Sequence, residues 1–328
     1  MKIQENGMMW KDTAGNKLLA HGGHILFHEG VYYWYGENRT DRNYVSCYSS
    51  TDLVNWTYRN DVLTMDSPVQ KNRVNADLSL QTPEGGRVTI ERPKVRYNES
   101  TGKFVMWMHF ENGRDYLRAE AAVATCDTPD GDFVYHGSFR PYGEYSRDCT
   151  MFQDGKKAYF ISSSRDNKDM HVYLLQEDWL NVKKQVANLW SNEYREAPSV
   201  VKIDDTYYMI TSGCTGGEPN QQKYAATKDF EDGFDMMTLI GDETCFDSQA
   251  AFVLTIKGSK TTSYIYVGDR WLKKDMPRGF FGEYSGYVWF PLVFDENGKM
   301  VMIPCKELDI NAETGEIFWS EETVTLEH

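Results

Sequence analysis

The sequence predicts an all-β chain folded as one five-bladed β-propeller, and three observations carry that expectation. A polar turn leading into an aromatic-rich strand recurs five times along the 328 residues. The copies stand a blade's length apart. Aromatic residues reach 14%, with 21 Tyr, 16 Phe and 9 Trp, while helix signals are weak throughout.

The first copy is Glu29-Gly30-Val31-Tyr32-Tyr33-Trp34-Tyr35 and the second Thr101-Gly102-Lys103-Phe104-Val105-Met106-Trp107. Asp154-Gly155 opens the third, which runs through Tyr159 to Ile161; Asp204-Asp205 opens the fourth, through Tyr208 to Ile210; Thr262-Ser263 opens the fifth, through Tyr264 to Val267. With Tyr33, Phe104, Tyr159, Tyr208 and Tyr264 as markers, the gaps are 71, 55, 49 and 56 residues. A short strand precedes each copy, as in Pro198–Ile203, and further strand-like pieces follow, as in Val45–Ser50 and Ala121–Thr125. Strand, tight turn and strand repeated at this spacing describe propeller blades better than the alternative, an irregular β-sandwich. The polar stretch Asp61–Arg87 reads as a loop that lengthens the first gap. No linker divides the chain, so residues 1–325 read as one domain, and 326–328 as a vector-derived tail.

Composition narrows the function classes. At 41% hydrophobic and 26% charged the chain can fill a sizeable core. A net charge of −14 repels phosphate backbones and anionic head groups, so nucleic acid and membrane surfaces are not expected partners. Stretches such as Tyr287–Phe294 are too short to span a bilayer. Met1–Gly7 lacks an apolar signal core, which predicts a cytoplasmic protein if Met1 is native, and a secreted or periplasmic one if a signal peptide has been removed. The six cysteines form no CxxC pair and read as free thiols. His21 and His24 lack further ligands at a convincing spacing, and no GxSxG, GxGxxG or GxxxxGK[ST] motif is present. Neither a metal nor a cofactor is therefore expected.

Inner strands of a propeller line a central channel, and polar groups at their starts gather at one mouth. Counting back 12, 13, 11, 12 and 15 residues from the five markers reaches His21, Glu91, Asp148, Glu196 and Gln249. A lone acid at a strand start is ordinarily a solvated turn residue. Three carboxylates at equivalent positions beside buried aromatic strands point instead to a site, because converging acids repel and desolvate one another. Arg92, Arg147 and Arg195 adjoin the three acids; neighbouring strand residues point to opposite faces, which argues against simple ion pairs within each dipeptide. Trp34, Tyr116, Trp271 and Trp289 are candidates for core packing, with one or two left to line a pocket.

These stretches resemble glycoside hydrolase family 43, and within it the exo-β-1,3-galactanase-like branch. The matching motifs are Ala20-His21-Gly22-Gly23, Tyr33-Trp34-Tyr35-Gly36-Glu37, Ser50–Trp56, Glu91-Arg92-Pro93-Lys94-Val95, Arg147-Asp148, Arg195-Glu196-Ala197-Pro198, Thr211–Gly216, Asp247-Ser248-Gln249 and Gly268–Trp271. The resemblance implies a five-bladed propeller and inverting hydrolysis; the expected partner is an oligo- or polysaccharide substrate, and the chain is expected to be a monomer. It implies Glu196 as general acid and Asp148 as the group that tunes it. The family's usual base, an Asp opening blade one, is replaced here by Ala20-His21-Gly22. The branch shares that absence and uses a Gln, here Gln249, to serve the attacking water. Glu91, Glu37, Tyr116, Asn167 and Thr215 match its sugar-contacting positions, and His21 and Arg92 complete the expected binding set.

Inversion needs a protonated acid on one side of the sugar and a water on the other, with a spacing of roughly 6.5–9.5 Å expected between Glu196 and the water's partner. On chemistry alone Glu91 rivals Gln249, since a carboxylate takes a proton far more readily than an amide. The implied activity is release of galactose from β-1,3-galactan of the arabinogalactan type. The alternatives are an α-L-arabinofuranosidase or β-xylosidase on the same scaffold, or a glycan-binding propeller without turnover.

Overall fold

The structure, a computed structural model, describes residues 1–216, 218–271 and 285–322. The tail expected at 326–328 and the side chain of Trp271 lie outside the described part. Five four-stranded antiparallel sheets follow one another along the chain. Blade 1 is β1 (His21–His28), β2 (Val31–Glu37), β3 (Asn43–Ser50) and β4 (Thr57–Thr64). Blade 2 is β5 (Thr89–Asn98), β6 (Lys103–Glu111), β7 (Glu120–Cys126) and β8 (Val134–Phe139). Blade 3 is β9 (Ser146–Asp154), β10 (Lys157–Ser164), β11 (Asp169–Leu175) and β12 (Val182–Leu189). Blade 4 is β13 (Arg195–Ile203), β14 (Thr206–Gly213), β15 (Gln222–Thr227) and β16 (Thr238–Ile240). Blade 5 is β17 (Gln249–Lys257), β18 (Thr262–Trp271), β19 (Ser285–Phe294) and β20 (Met300–Met302). A hairpin of β21 (Leu308–Ile310) and β22 (Ile317–Trp319) follows. Helical structure among the described residues is limited to two three-residue 3-10 turns.

The first strand of every blade packs against the first strands of the blades on either side, and β1 meets β17, so the five close into a ring around a channel. All five marker aromatics fall on the second strand of their blade. Second strands sit between neighbouring blades and bury both faces, which is why β6 reads KFVMWMHFE with only its first residue not buried. Outermost strands face water on one side, and β12 is correspondingly polar. The hairpin turn at Glu29-Gly30 takes positive φ at both positions (48° and 84°), the type I′ geometry that suits twisted strands.

Asp61–Arg87 is only partly the expected loop. Asp61–Thr64 completes β4, because Val62 and Leu63 are buried between blades 1 and 2. The remainder runs along the edge strand β8, with Gln70 N–H bonding Tyr135 O and Asp77 pairing Ser138, so it covers an otherwise open edge.

The ring is sealed between its first and last blades. Trp10, Trp34, Trp56, Tyr287 and Trp289 form an edge-to-face cluster there, with Trp34 4.9 Å from Tyr287 and 5.1 Å from Trp56 between centroids. Trp34 and Trp289 are thus core residues. The Asn6 side chain, buried beside them, accepts from Trp289 N–H at 2.7 Å and donates to the carbonyls of Trp289 and Cys305. Ile3 N–H bonds Leu308 O, which ties the first residues of the chain to the C-terminal hairpin.

Each inner strand loses register with its partner at one end: between His21 and His24, Glu91 and Lys94, Glu196 and Ser199, Ala250 and Phe252, and, on the β10 side of blade 3, Ser162 and Ser164. These bulges re-aim the side chains beside them toward the channel. Gly22 occupies one at φ 57°, where a Cβ would lie 2.4 Å from Glu37 Oε1. Arg92 and Ala197 take the same left-handed conformation at φ 55° and 51° without the freedom of glycine.

Candidate active site

The bulged ends of the five inner strands meet at one channel mouth. His21 and Gln249 are the first residues of β1 and β17, Glu196 the second of β13, and Glu91 and Asp148 the third of β5 and β9. The three acids stand on one face. Asp148 Oδ2 accepts from Ala197 N–H, beside Glu196, at 3.1 Å, and Glu91 and Asp148 each bring a carboxylate oxygen within 4.8 Å of the other.

Arg92 is the hub. Its bulge turns it away from Glu91 and across the channel, where Nη2 reaches Asp148 Oδ2 at 3.0 Å and donates to Gln249 Oε1 at 2.6 Å. Nη1 donates to Ala250 O at 2.8 Å, and its backbone N–H donates to Glu37 Oε1 at 3.1 Å. Arg147 and Arg195 also leave their adjacent acids, for Asp166 and for Thr211.

Glu91 is caged. Oε1 accepts from Arg39 Nη2 and from Tyr116 O–H, both at 2.7 Å, and Oε2 lies 3.1 Å from His109 Nδ1. Burial would favour its neutral form, but Arg39, His109 and Tyr116 together hold it well below the usual carboxylate range. His109 has Glu91 on one nitrogen and Glu111 Oε1 at 3.0 Å on the other. Against the burial that opposes its charge, those two carboxylates raise it to about 9. Glu37, 4% exposed, binds Arg39 through Oε2 and the Arg92 amide through Oε1.

Glu196 has the opposite surroundings. Burial first, and the like charge of Asp148 second, raise it to about 7 against the smaller pull of the Cys214 thiol, Arg92 and Gln249. The Cys214 thiol hydrogen-bonds both Glu196 and Asn167, which brings Asn167 beside the acid. Gln249 Nε2 donates to Glu196 Oε1 and to Ser212 Oγ, each at 3.0 Å. The two side chains touch here, closer than the spacing expected between acid and water partner. Arg92 draws the amide oxygen to itself, and that leaves the amide nitrogen facing Glu196.

Asp148→Asn is therefore expected to move the basic limb of the pH–rate profile to lower pH. With Glu196 as the expected general acid, activity would fall as pH rises through its pKa; removing the like charge, and releasing Arg92 from its partner, both lower that pKa. An unmoved basic limb with only a raised KM would make Asp148 a plain substrate contact.

The remaining expected contacts divide. Tyr116, 48% exposed, presents its ring at the mouth above Glu91. Thr215 is exposed, and its hydroxyl is taken up in its own loop, donating to Glu218 O and accepting from Asn220 Nδ2 at 2.8 Å. His21 is corrected to a wall residue: 1% exposed, it stacks on Tyr287 at 4.8 Å and faces Asp269 at 3.4 Å. Asp269 also accepts from Gly22 N–H at 2.7 Å, which fixes the first bulge.

Glu91, His109 and Asp148 have metal-ligand spacing. Arg39 and Arg92 already face the two carboxylates, and an imidazole held protonated between two acids has no lone pair to give, so the set suits guanidinium better than a metal ion. Arg39, His109, Ser212 and Asp269 were not singled out by sequence. His109 carried a signal: a histidine in an apolar run with Glu111 two residues on, hence on the same strand face.

The model for glycosyl hydrolases family 43 matches residues 23–236. An exo-β-1,3-galactanase from Clostridium thermocellum is 43% identical with a TM-score of 0.87, covering 98% of this chain and 69% of that one. An exo-β-1,3-galactanase from Phanerochaete chrysosporium, solved with β-1,3-galactotriose, is 32% identical with a TM-score of 0.84, covering 98% and 71%. A xylan 1,3-β-xylosidase of a Vibrio species is 26% identical over 184 residues, 51% of this chain, and the chain spans 31% of that protein's length.

Proposed function

The chain belongs to glycosyl hydrolases family 43, and on that premise we propose that it is an exo-acting glycosidase that releases galactose from β-1,3-galactan chains with inversion of configuration. The observation that carries the reading is Glu196, a carboxylic acid with a pKa near 7, in a mouth whose other acids are held ionised or paired with arginine. A group so poised is protonated in a useful fraction near neutrality and gives its proton to the glycosidic oxygen as the C1–O bond breaks.

Gln249 serves the water. Its oxygen, already oriented by Arg92, has a second lone pair that accepts from a water beneath C1. The sugar enters between Glu196 and Gln249, replacing their hydrogen bond and opening the spacing that inversion needs. The water sheds its proton to solvent at the open mouth, which also restores the proton on Glu196. The caged Glu91, with Arg39, Tyr116 and Glu37 around it, offers hydroxyl contacts rather than a base.

The exo mode rests on the likeness to the two exo-β-1,3-galactanases, and the fully buried Lys94, which donates to Gly22 O, places a side chain inside the channel behind the mouth. Incubation with β-1,3-galactan is expected to yield free galactose as the α-anomer in the first minutes, read by NMR. Xylose from β-1,3-xylan instead would favour the reading supported by the Vibrio xylosidase. Binding of galactan without product would leave a lectin.

A further inference from the structure

Three basic residues of β5, Arg92, Lys94 and Arg96, follow one another at alternate positions from the catalytic mouth toward the far end. The first has Asp148, Gln249 and Ala250 O as partners, and the second has Gly22 O. The third is different. Arg96 Nε is buried without a hydrogen-bond partner among the described residues, and burial alone, with no acid contributing, draws its guanidinium down to about 10. Arg96 borders a cavity of about 680 Å³ bounded by the far ends of all five inner strands, from Leu26 on β1 to Gln153 on β9, Val201 on β13 and Thr255 on β17. This is the opposite mouth of the channel, with the buried Lys94 between it and Glu196.

The charges around that mouth favour an anion. Asp154 is engaged by Lys202 Nζ at 3.0 Å and by Tyr207 O–H at 2.5 Å. Asp204 and Lys257 are exposed at the rim. His24 is kept neutral by burial and by the charges of Arg96 and Lys94. The cavity thus presents Arg96, Lys202 and Lys257 against Asp154 and Asp204, an excess of positive charge in a chain of net charge −14. A half-buried guanidinium whose Nε has no acceptor leaves a donor unmet, and its planar fork matches an oxyanion with two parallel hydrogen bonds. We infer that the far mouth of the channel is a binding site for a small oxyanion, a phosphate, sulfate or carboxylate, held by Arg96. The site is separate from the glycosidase chemistry.

The test is a thermal melt at fixed ionic strength, with inorganic phosphate titrated into a Tris buffer, on wild type, Arg96→Met and Arg96→Gln. Wild type is expected to show a rise that grows with the logarithm of phosphate concentration and reaches about 5 °C at a hundredfold excess over Kd. Both variants should be flat, and in phosphate-free buffer Arg96→Met should melt no lower than wild type, because it loses an unpaired charge rather than a contact. Sulfate and acetate should compete with phosphate, and galactose release should be unchanged in both variants. Isothermal titration of wild type should read one site per chain. The inference is overturned by absence of calorimetric binding to wild type, by an equal phosphate response in the variants, or by a chloride response as large as that to phosphate.

Discussion

Glu196→Gln is expected to lower turnover on the natural β-1,3 linkage by roughly 10²–10⁴ while leaving substrate affinity nearly intact. The amide keeps the size of the acid and can still accept from Gln249 Nε2, so the mouth should hold its geometry. What disappears is the proton. Aryl galactosides with acidic leaving groups need little protonation and should lose far less, so the ratio of the two losses is the diagnostic measurement. The wild-type rate on aryl substrates should also depend less steeply on pH above 7 than the rate on galactan. An unchanged rate on the natural linkage would take the role of general acid away from Glu196.

Gln249→Ala should be nearly as damaging, with a loss of about 10² or more, because it removes the group we propose orients the water and unties Arg92 from its place. A small nucleophile such as azide fits the space left and should restore part of the rate, giving a glycosyl azide of inverted configuration. Glu91→Gln provides the contrast. Glu91 has its oxygens committed to Arg39, Tyr116 and His109, and those partners make it a weak proton acceptor. Its variant should keep measurable turnover with a raised KM. Should Gln249→Ala stay active while Glu91→Gln is dead and rescued by azide, the base is Glu91.

Much of this fold was legible because a propeller repeats one local pattern. Turn, aromatic strand and an offset of 11–15 residues back to a polar strand start recur without reference to distant contacts, and the five residues so reached do open the inner strands. What failed was whatever depended on partners far along the chain. His21 has the same register as Glu91, but its environment comes from Tyr287 and Asp269 on blade 5, so nothing near it in sequence announced a buried wall residue. The contact between Gln249 and Glu196 depends on Arg92, delivered by a bulge in another blade, and left-handed backbone at a non-glycine residue has no local signature. The arginines were legible only in part: their departure from the adjacent acids followed from strand alternation, whereas their destinations did not.

The seal between blades 1 and 5 bears on how the molecule forms and fails. Asn6 and Trp289 stand 283 residues apart, so no bond between them can exist until nearly the whole chain has been made. Each blade can assemble from neighbouring segments, but joining the last to the first must wait, and the entropy of that long closure is met at the end. Ring closure is then the slow, concerted step of folding. The same seam is the natural starting point for unzipping under heat, and amides along it should exchange with solvent ahead of those inside blades 2 and 3.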